Sequence, residues 1–204
     1  MSEVEEDTQK ESEGLSRLTG FSDGVFAIAI TLLILNIELP ERTGSAAVGV
    51  YRVITEWPDI LAYVISFLVI GNYWIGHHSV FEDIEYYDRR LLWLNIIYLM
   101  FIAFIPFSTA LLGDFPGSFP VIVYAGTLAL TGIVFAGLWR YAWANGLLDE
   151  TVDTDQVREI TLSILIPSAI FTGSVLVALI SARLAMYSWL FLFLADPIQK
   201  WLMK

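Results

Sequence analysis

An all-α membrane protein with six transmembrane helices per subunit is the fold class this sequence predicts, on three observations. Its 204 residues are 56% hydrophobic and only 16% charged, with a mean hydropathy of +0.65, too apolar for a soluble domain of this size. The apolar residues gather into segments long enough to cross a bilayer as helices. The acidic residues fall mostly between those segments. With no cysteine there is no disulfide framework and no cysteine-based metal or redox centre. A pI near 4.4 and the lack of a basic patch argue against nucleic acid as a partner.

Residues 1–16 hold six acids, Glu3, Glu5, Glu6, Asp7, Glu11 and Glu13, against Lys10. They have no apolar face and read as a disordered acidic tail, distinct from a membrane domain over 17–204. They lack the basic start and apolar core of a signal peptide. The first span follows; from Val25 to Leu35 its only polar side chain is Thr31, and it closes at Asn36, Glu38 and Pro40. Residues 45–56 suit a short interfacial helix. Trp57-Pro58 opens the second span, with Pro58 in a first-turn position, and His77-His78 end it. Residues 81–90 form a charged loop. The third span, 91–112, contains Pro106, which should bend it. A Gly- and Pro-rich turn at 113–120 leads to the fourth span, 121–144, with Gly126, Gly132 and Gly137. The acidic segment 145–159 reads as a solvated loop. The fifth span, 160–181, contains Pro167. The sixth, 184–202, is interrupted at Asp196-Pro197, read as a helix break.

Six spans put both termini on one side. With the N-terminus inside, eight basic residues (Lys10, Arg17, Arg89, Arg90, Arg140, Arg158, Lys200, Lys204) lie inside and three (Arg42, Arg52, Arg183) outside. The positive-inside rule therefore places both termini in the cytosol, and the expected location is the cell membrane. The seven tryptophans cluster at predicted span ends as interfacial anchors.

The first span has two faces. On a helical wheel of about 100° per residue with Ile28 at zero, Leu35 falls at about −20°, Leu32 at about +40° and Thr31 at about −60°, a single stripe. Asp23 falls at about −140°, on the other side. Such a stripe serves lipid contact or packing. Alternatively it lines a pore, where Ile and Leu rings exclude water and Thr hydroxyls replace part of an ion's hydration shell. One helix cannot enclose a pore, so that alternative demands an oligomer around an axis. Asp23 is either a first-turn dipole partner or part of a polar cluster with Arg17 and His77, which would also offer a pH sensor. Adjacent His77 and His78 point about 100° apart on a helix, poor geometry for joint metal ligation, so no metal or other cofactor is expected.

The motifs Arg17-x-x-x-Phe21-Ser22-Asp23, Trp57-Pro-x-x-x-Ala62-Tyr-x-x-Ser66-Phe67, Tyr73-Trp74-x-x-His77-His78-x-x-Phe81 and Pro106-Phe-x-Thr109-Ala110-Leu-Leu-Gly113 resemble the lysosomal potassium channel family, transmembrane protein 175 type, in its prokaryotic single-repeat form. The resemblance covers residues 17–204 and is strongest over the first three spans. It implies a homotetramer in the bilayer with the first helix lining a central pore. It implies passage of monovalent cations, potassium modestly over sodium, without a carbonyl filter; no T-V-G-Y-G occurs here. The family's constriction positions fall on Ile28, Leu32 and Leu35, and its selectivity hydroxyl on Thr31. Arg17, Phe21, Ser22, Asp23 and His77 take the positions of its structural network. Beside this channel reading stand a proton-coupled secondary transporter using Asp23 and His77, and a membrane enzyme using His77, His78 and Asp23. The enzyme is disfavoured by the lack of a nucleophile or metal constellation.

Overall fold

The computed structural model describes residues 3–37, 57–194, 197 and 199. Helix α1 spans Glu3–Leu32 and passes into a 3-10 turn, Leu33–Asn36. Helix α2 spans Trp57–Glu82, α3 Arg89–Asp114, α4 Ser118–Ala144, α5 Thr154–Ala178 and α6 Ala182–Ser188, followed by a 3-10 segment, Trp189–Leu194. Four of the described segments are long and apolar enough to cross a membrane: Glu13–Asn36, α3, α4 and α5. At a rise of about 1.5 Å per residue the 26 residues of α2 extend about 39 Å, also a membrane's thickness.

Several boundaries differ from the sequence expectation, for identifiable reasons. α1 begins at Glu3, so helical backbone continues through most of the segment expected to be a disordered tail. Glu, Lys and Gln are strong helix formers, and acids near a helix N-terminus favour its dipole. α2 continues four residues past His78 because Val80 and Phe81 beyond the two histidines are still core residues. α5 starts at Thr154 because Asp153 caps it, accepting the Gln156 N–H at 2.8 Å. Pro106 and Pro167 interrupt neither α3 nor α5. Hydroxyls beside them bond the preceding turn: Ser108 and Thr109 donate to the Ile105 carbonyl, and Ser168 to that of Ile164. The expected sixth span is represented by α6 and the 3-10 segment; residues 195, 196, 198 and 200–204 lie outside the described residues, as does the interfacial helix expected at 45–56.

α1 packs on α2 and α3, α3 packs on α4, α4 on α5, and α5 on α6. The core between them is built by Phe26, Leu33, Ile70, Tyr98, Phe135 and Trp139, among others. Gly132 lets α4 and α5 meet closely, since a Cβ there would collide with the Ser168 hydroxyl.

The α2–α3 and α4–α5 loops form a clasp. Ile84 and Leu148 make an antiparallel bridge, Glu85 N–H donates to Leu147 O at 3.0 Å, and Asp149 N–H to Asp83 O at 2.9 Å. Gln156 donates to the Asp83 carboxylate at 3.1 Å. Asp88 caps α3 through the Leu91 N–H and accepts from the Tyr141 hydroxyl. These bonds, that of Tyr141 foremost, hold the Asp88 carboxyl below its ordinary range, whereas burial pushes that of Asp83 up.

Candidate functional site

Among the described side chains of α1 and its 3-10 turn the buried ones are Leu18, Ser22, Phe26, Ala29 and Leu33, spaced by four, four, three and four. That is a single helical face, and it lies against α2 and α3. At its centre is a chain of polar groups. Ser22 Oγ donates to Leu18 O at 3.0 Å and accepts from Asn95 Nδ2 at 2.9 Å. Asn95 Oδ1 lies 3.0 Å from His77 Nε2. Because Asn95 donates to Ser22, its oxygen faces the histidine, so Nε2 carries the hydrogen. The His77 ring is 2% exposed, stacked on Phe81 at 4.2 Å and on Tyr98 at 5.7 Å, with the edge of Phe26 at 5.5 Å.

The expected polar cluster is therefore drawn differently. Ser22 and His77 are joined, but through Asn95, which sequence reading passed over. Asn95 had a signal: it is an amide inside the apolar run Leu91-Leu-Trp-Leu-Asn-Ile-Ile97, and an amide in a membrane helix asks for a partner. Asp23 joins neither Arg17 nor His77. It is exposed and accepts from the indole Nε1 of Trp74 at 2.8 Å, which ties α1 to α2. Arg17 is exposed and makes no hydrogen bond or ion pair among the described residues. Phe21 is also exposed. His78 is exposed, stacks on Trp74 at 5.6 Å and lies 3.2 Å from the Glu82 carboxylate. Thus the two histidines occupy opposite environments, and no metal-holding group of three His, Asp or Glu exists among the described residues. A cleft of about 460 Å³ opens at this end, bordered by Thr19, Asp23, His78, Glu82 and Asp149.

The opposite face of α1 is uncovered. Ile28 is 62% exposed, Leu32 42% and Leu35 74%. Thr31, on the same face, donates its hydroxyl hydrogen to Ala27 O and Ile28 O, each at 2.9 Å. With that hydrogen bound to the helix's own backbone, what Thr31 offers outward is an oxygen acceptor, the kind of group that coordinates a cation. The stripe drawn from the wheel thus coincides with the face that the chain does not cover with its own described residues.

Residues 17–106 match the family described as endosomal/lysosomal potassium channel TMEM175. The chain is 37% identical over 177 residues to a potassium channel of Streptomyces collinus, covering 83% of this chain and 85% of that protein. It is 36% identical over 149 residues to an endosomal/lysosomal proton channel TMEM175 of Gallus gallus, covering 68% of this chain and 30% of that protein. The crystal structure of a lysosomal potassium-selective channel TMEM175 homologue from Chamaesiphon minutus superposes with a TM-score of 0.78 at 30% identity, covering 92% of this chain and 98% of that one. An all-helical membrane fold, the motifs of the first three helices and near full-length similarity agree: the chain belongs to the TMEM175 potassium channel family.

Proposed function

We propose that this chain forms a potassium-permeable channel of the cell membrane, a homotetramer of six-helix subunits with both termini in the cytosol. In this reading the exposed stripe of α1 from each copy faces the symmetry axis. Ile28, Leu32 and Leu35 form constrictions that exclude water in the closed state, and the outward oxygen of Thr31 favours potassium over sodium. The observation that carries the reading is the exposure of all four pathway candidates along one face, while the opposite face of the same helix is buried and hydrogen-bonded. A single subunit leaves that stripe without a neighbour, and assembly around an axis supplies one. No cofactor is needed; potassium is the permeant ion. Ser22, Asn95 and His77 hold the helix in its own subunit, with Asp23 and Trp74 as a second tie, and Arg17 and Phe21 stand on its outer side toward other copies.

The alternative, a transporter carrying protons through Asp23 and His77, has these two groups on separate partners, Trp74 and Asn95. Reconstitution separates the readings. The channel gives single-channel current steps, and Ile28→Ala and Leu35→Ala each raise potassium flux into liposomes several-fold. Saturable, stoichiometrically coupled flux, or unchanged flux in both variants, overturns the channel reading.

A further inference from the structure

At the end of α1 the helix tightens. Leu33–Asn36 form a 3-10 turn, and the Asn36 side chain donates from Nδ2 to the backbone oxygen of Pro106 in α3 at 3.0 Å. This changes where Leu35 points. In an α-helix three residues advance about 300°, so Leu35 would be about 60° away from Leu32 and near the directions of Ile28 and Thr31. In a 3-10 turn three residues complete a full circle, so Leu35 eclipses Leu32 about 6 Å further along the axis, about 1.5 Å beyond its α-helical position. Thr31 is then about 100° from Leu35 instead of about 40°. Among the described residues the turn is anchored by fully buried Leu33 on one side and by the Asn36 amide on the other, beside a small cavity bordered by Leu33, Asn36, Tyr63 and Thr109.

We propose that Asn36 is a positioning residue: by holding the Pro106 carbonyl it keeps the last turn in the 3-10 register, which stacks Leu35 on Leu32 and leaves the Thr31 oxygen uncovered. Release of the amide lets the turn relax to the α register and swings Leu35 across Thr31. The inference rests on the reading that this stripe faces the water-filled pathway. It makes Asn36, which touches no permeant ion, a determinant of access to the selectivity position.

The chain has no cysteine, so one introduced thiol is an unambiguous reporter. Thr31→Cys protein, assembled and reconstituted, is treated with a water-soluble thiol reagent from the Leu35 side. Adding Asn36→Leu should slow modification at least three-fold, and adding Leu35→Ala to that pair should restore the original rate. An unchanged rate in Asn36→Leu, or a slowing that Leu35→Ala does not relieve, overturns the proposal. Asn36→Ala is the second variant if Asn36→Leu does not assemble. Failure of both to assemble also overturns it, because Asn36 is then a structural tie. If Thr31→Cys is unreactive even with Leu35→Ala and Asn36 intact, the pathway reading itself fails.

Discussion

The two halves of α1 are held in different ways. The half near the acidic end is rooted by side chain bonded to side chain: Ser22, Asn95 and His77 inside a box of aromatic rings, with the Asp23–Trp74 bond beside it. The far half is held by apolar packing of Leu33 and by one amide on one carbonyl. A buried polar chain has few alternative arrangements, since any shift strands a donor or acceptor in a low-dielectric interior. Apolar packing and a single peripheral bond tolerate a change of register. The contrast separates a fixed root from an adjustable tip on one continuous helix, and the tip carries the exposed side chains of Ile28, Leu32 and Leu35.

The largest expected effect tests the root. Asn95→Leu leaves His77 and Ser22 buried without their partner, at a cost of about 3 kcal/mol. The melting temperature of the detergent-solubilised protein should fall sharply, while Leu35→Ala, at the tip, melts like the wild type. Equal losses in the two variants would erase the distinction. Next, Thr31→Val keeps shape and removes the outward oxygen. The reversal potential under bi-ionic potassium and sodium should move toward zero with the melting temperature unchanged. Trp74→Phe removes one exposed bond to Asp23 and should cost about 1 kcal/mol, less than half the Asn95 effect in the same melting assay. The smallest effect lies outside the membrane. The Asp88 carboxyl is held below its usual value of 3.8, so its stabilisation is full above that pH and is lost as pH falls through the lowered value. Asp88→Asn should therefore flatten the melting-versus-pH curve below pH 3.8 and leave the wild type the steeper of the two.

Much of this division is legible in the sequence. The apolar segments set the helices, since a bilayer requires their length, and a wheel of about 100° per residue separated the stripe of Ile28, Thr31, Leu32 and Leu35 from the opposite face. What the wheel missed is instructive. It put Leu35 beside Ile28 because it assumed α geometry, whereas the chain ends α1 in a 3-10 turn whose Asn36 bonds Pro106, seventy residues away. It left Asp23, the residue with the formal charge, as either a dipole partner or a member of a cluster with Arg17 and His77, and Ser22 entered only through the family resemblance. The buried position one residue earlier belongs to Ser22, and an uncharged hydroxyl is cheaper to bury than a carboxylate. Asn95 lies on another helix, and pairing across helices is not encoded in local periodicity. The extension of α2 beyond its histidines escaped because a histidine reads as an end in hydropathy, yet His77 sits among rings that bury it.

The loop clasp implies an order of assembly. Ser22, His77, Asn95 and Tyr98 all belong to the first three long helices, so the root can close once these have entered the bilayer. Ile84 meets its partner Leu148 only after the intervening chain, including all of α4, has been made. During synthesis, then, the Ser22–Asn95–His77 bonds can form before the α2–α3 loop is fixed. Truncation after α3 should leave a three-helix unit that can still bond Ser22, Asn95 and His77 but whose Asp88 cap lacks Tyr141, and increased protease cleavage at residues 83–88 is the readout.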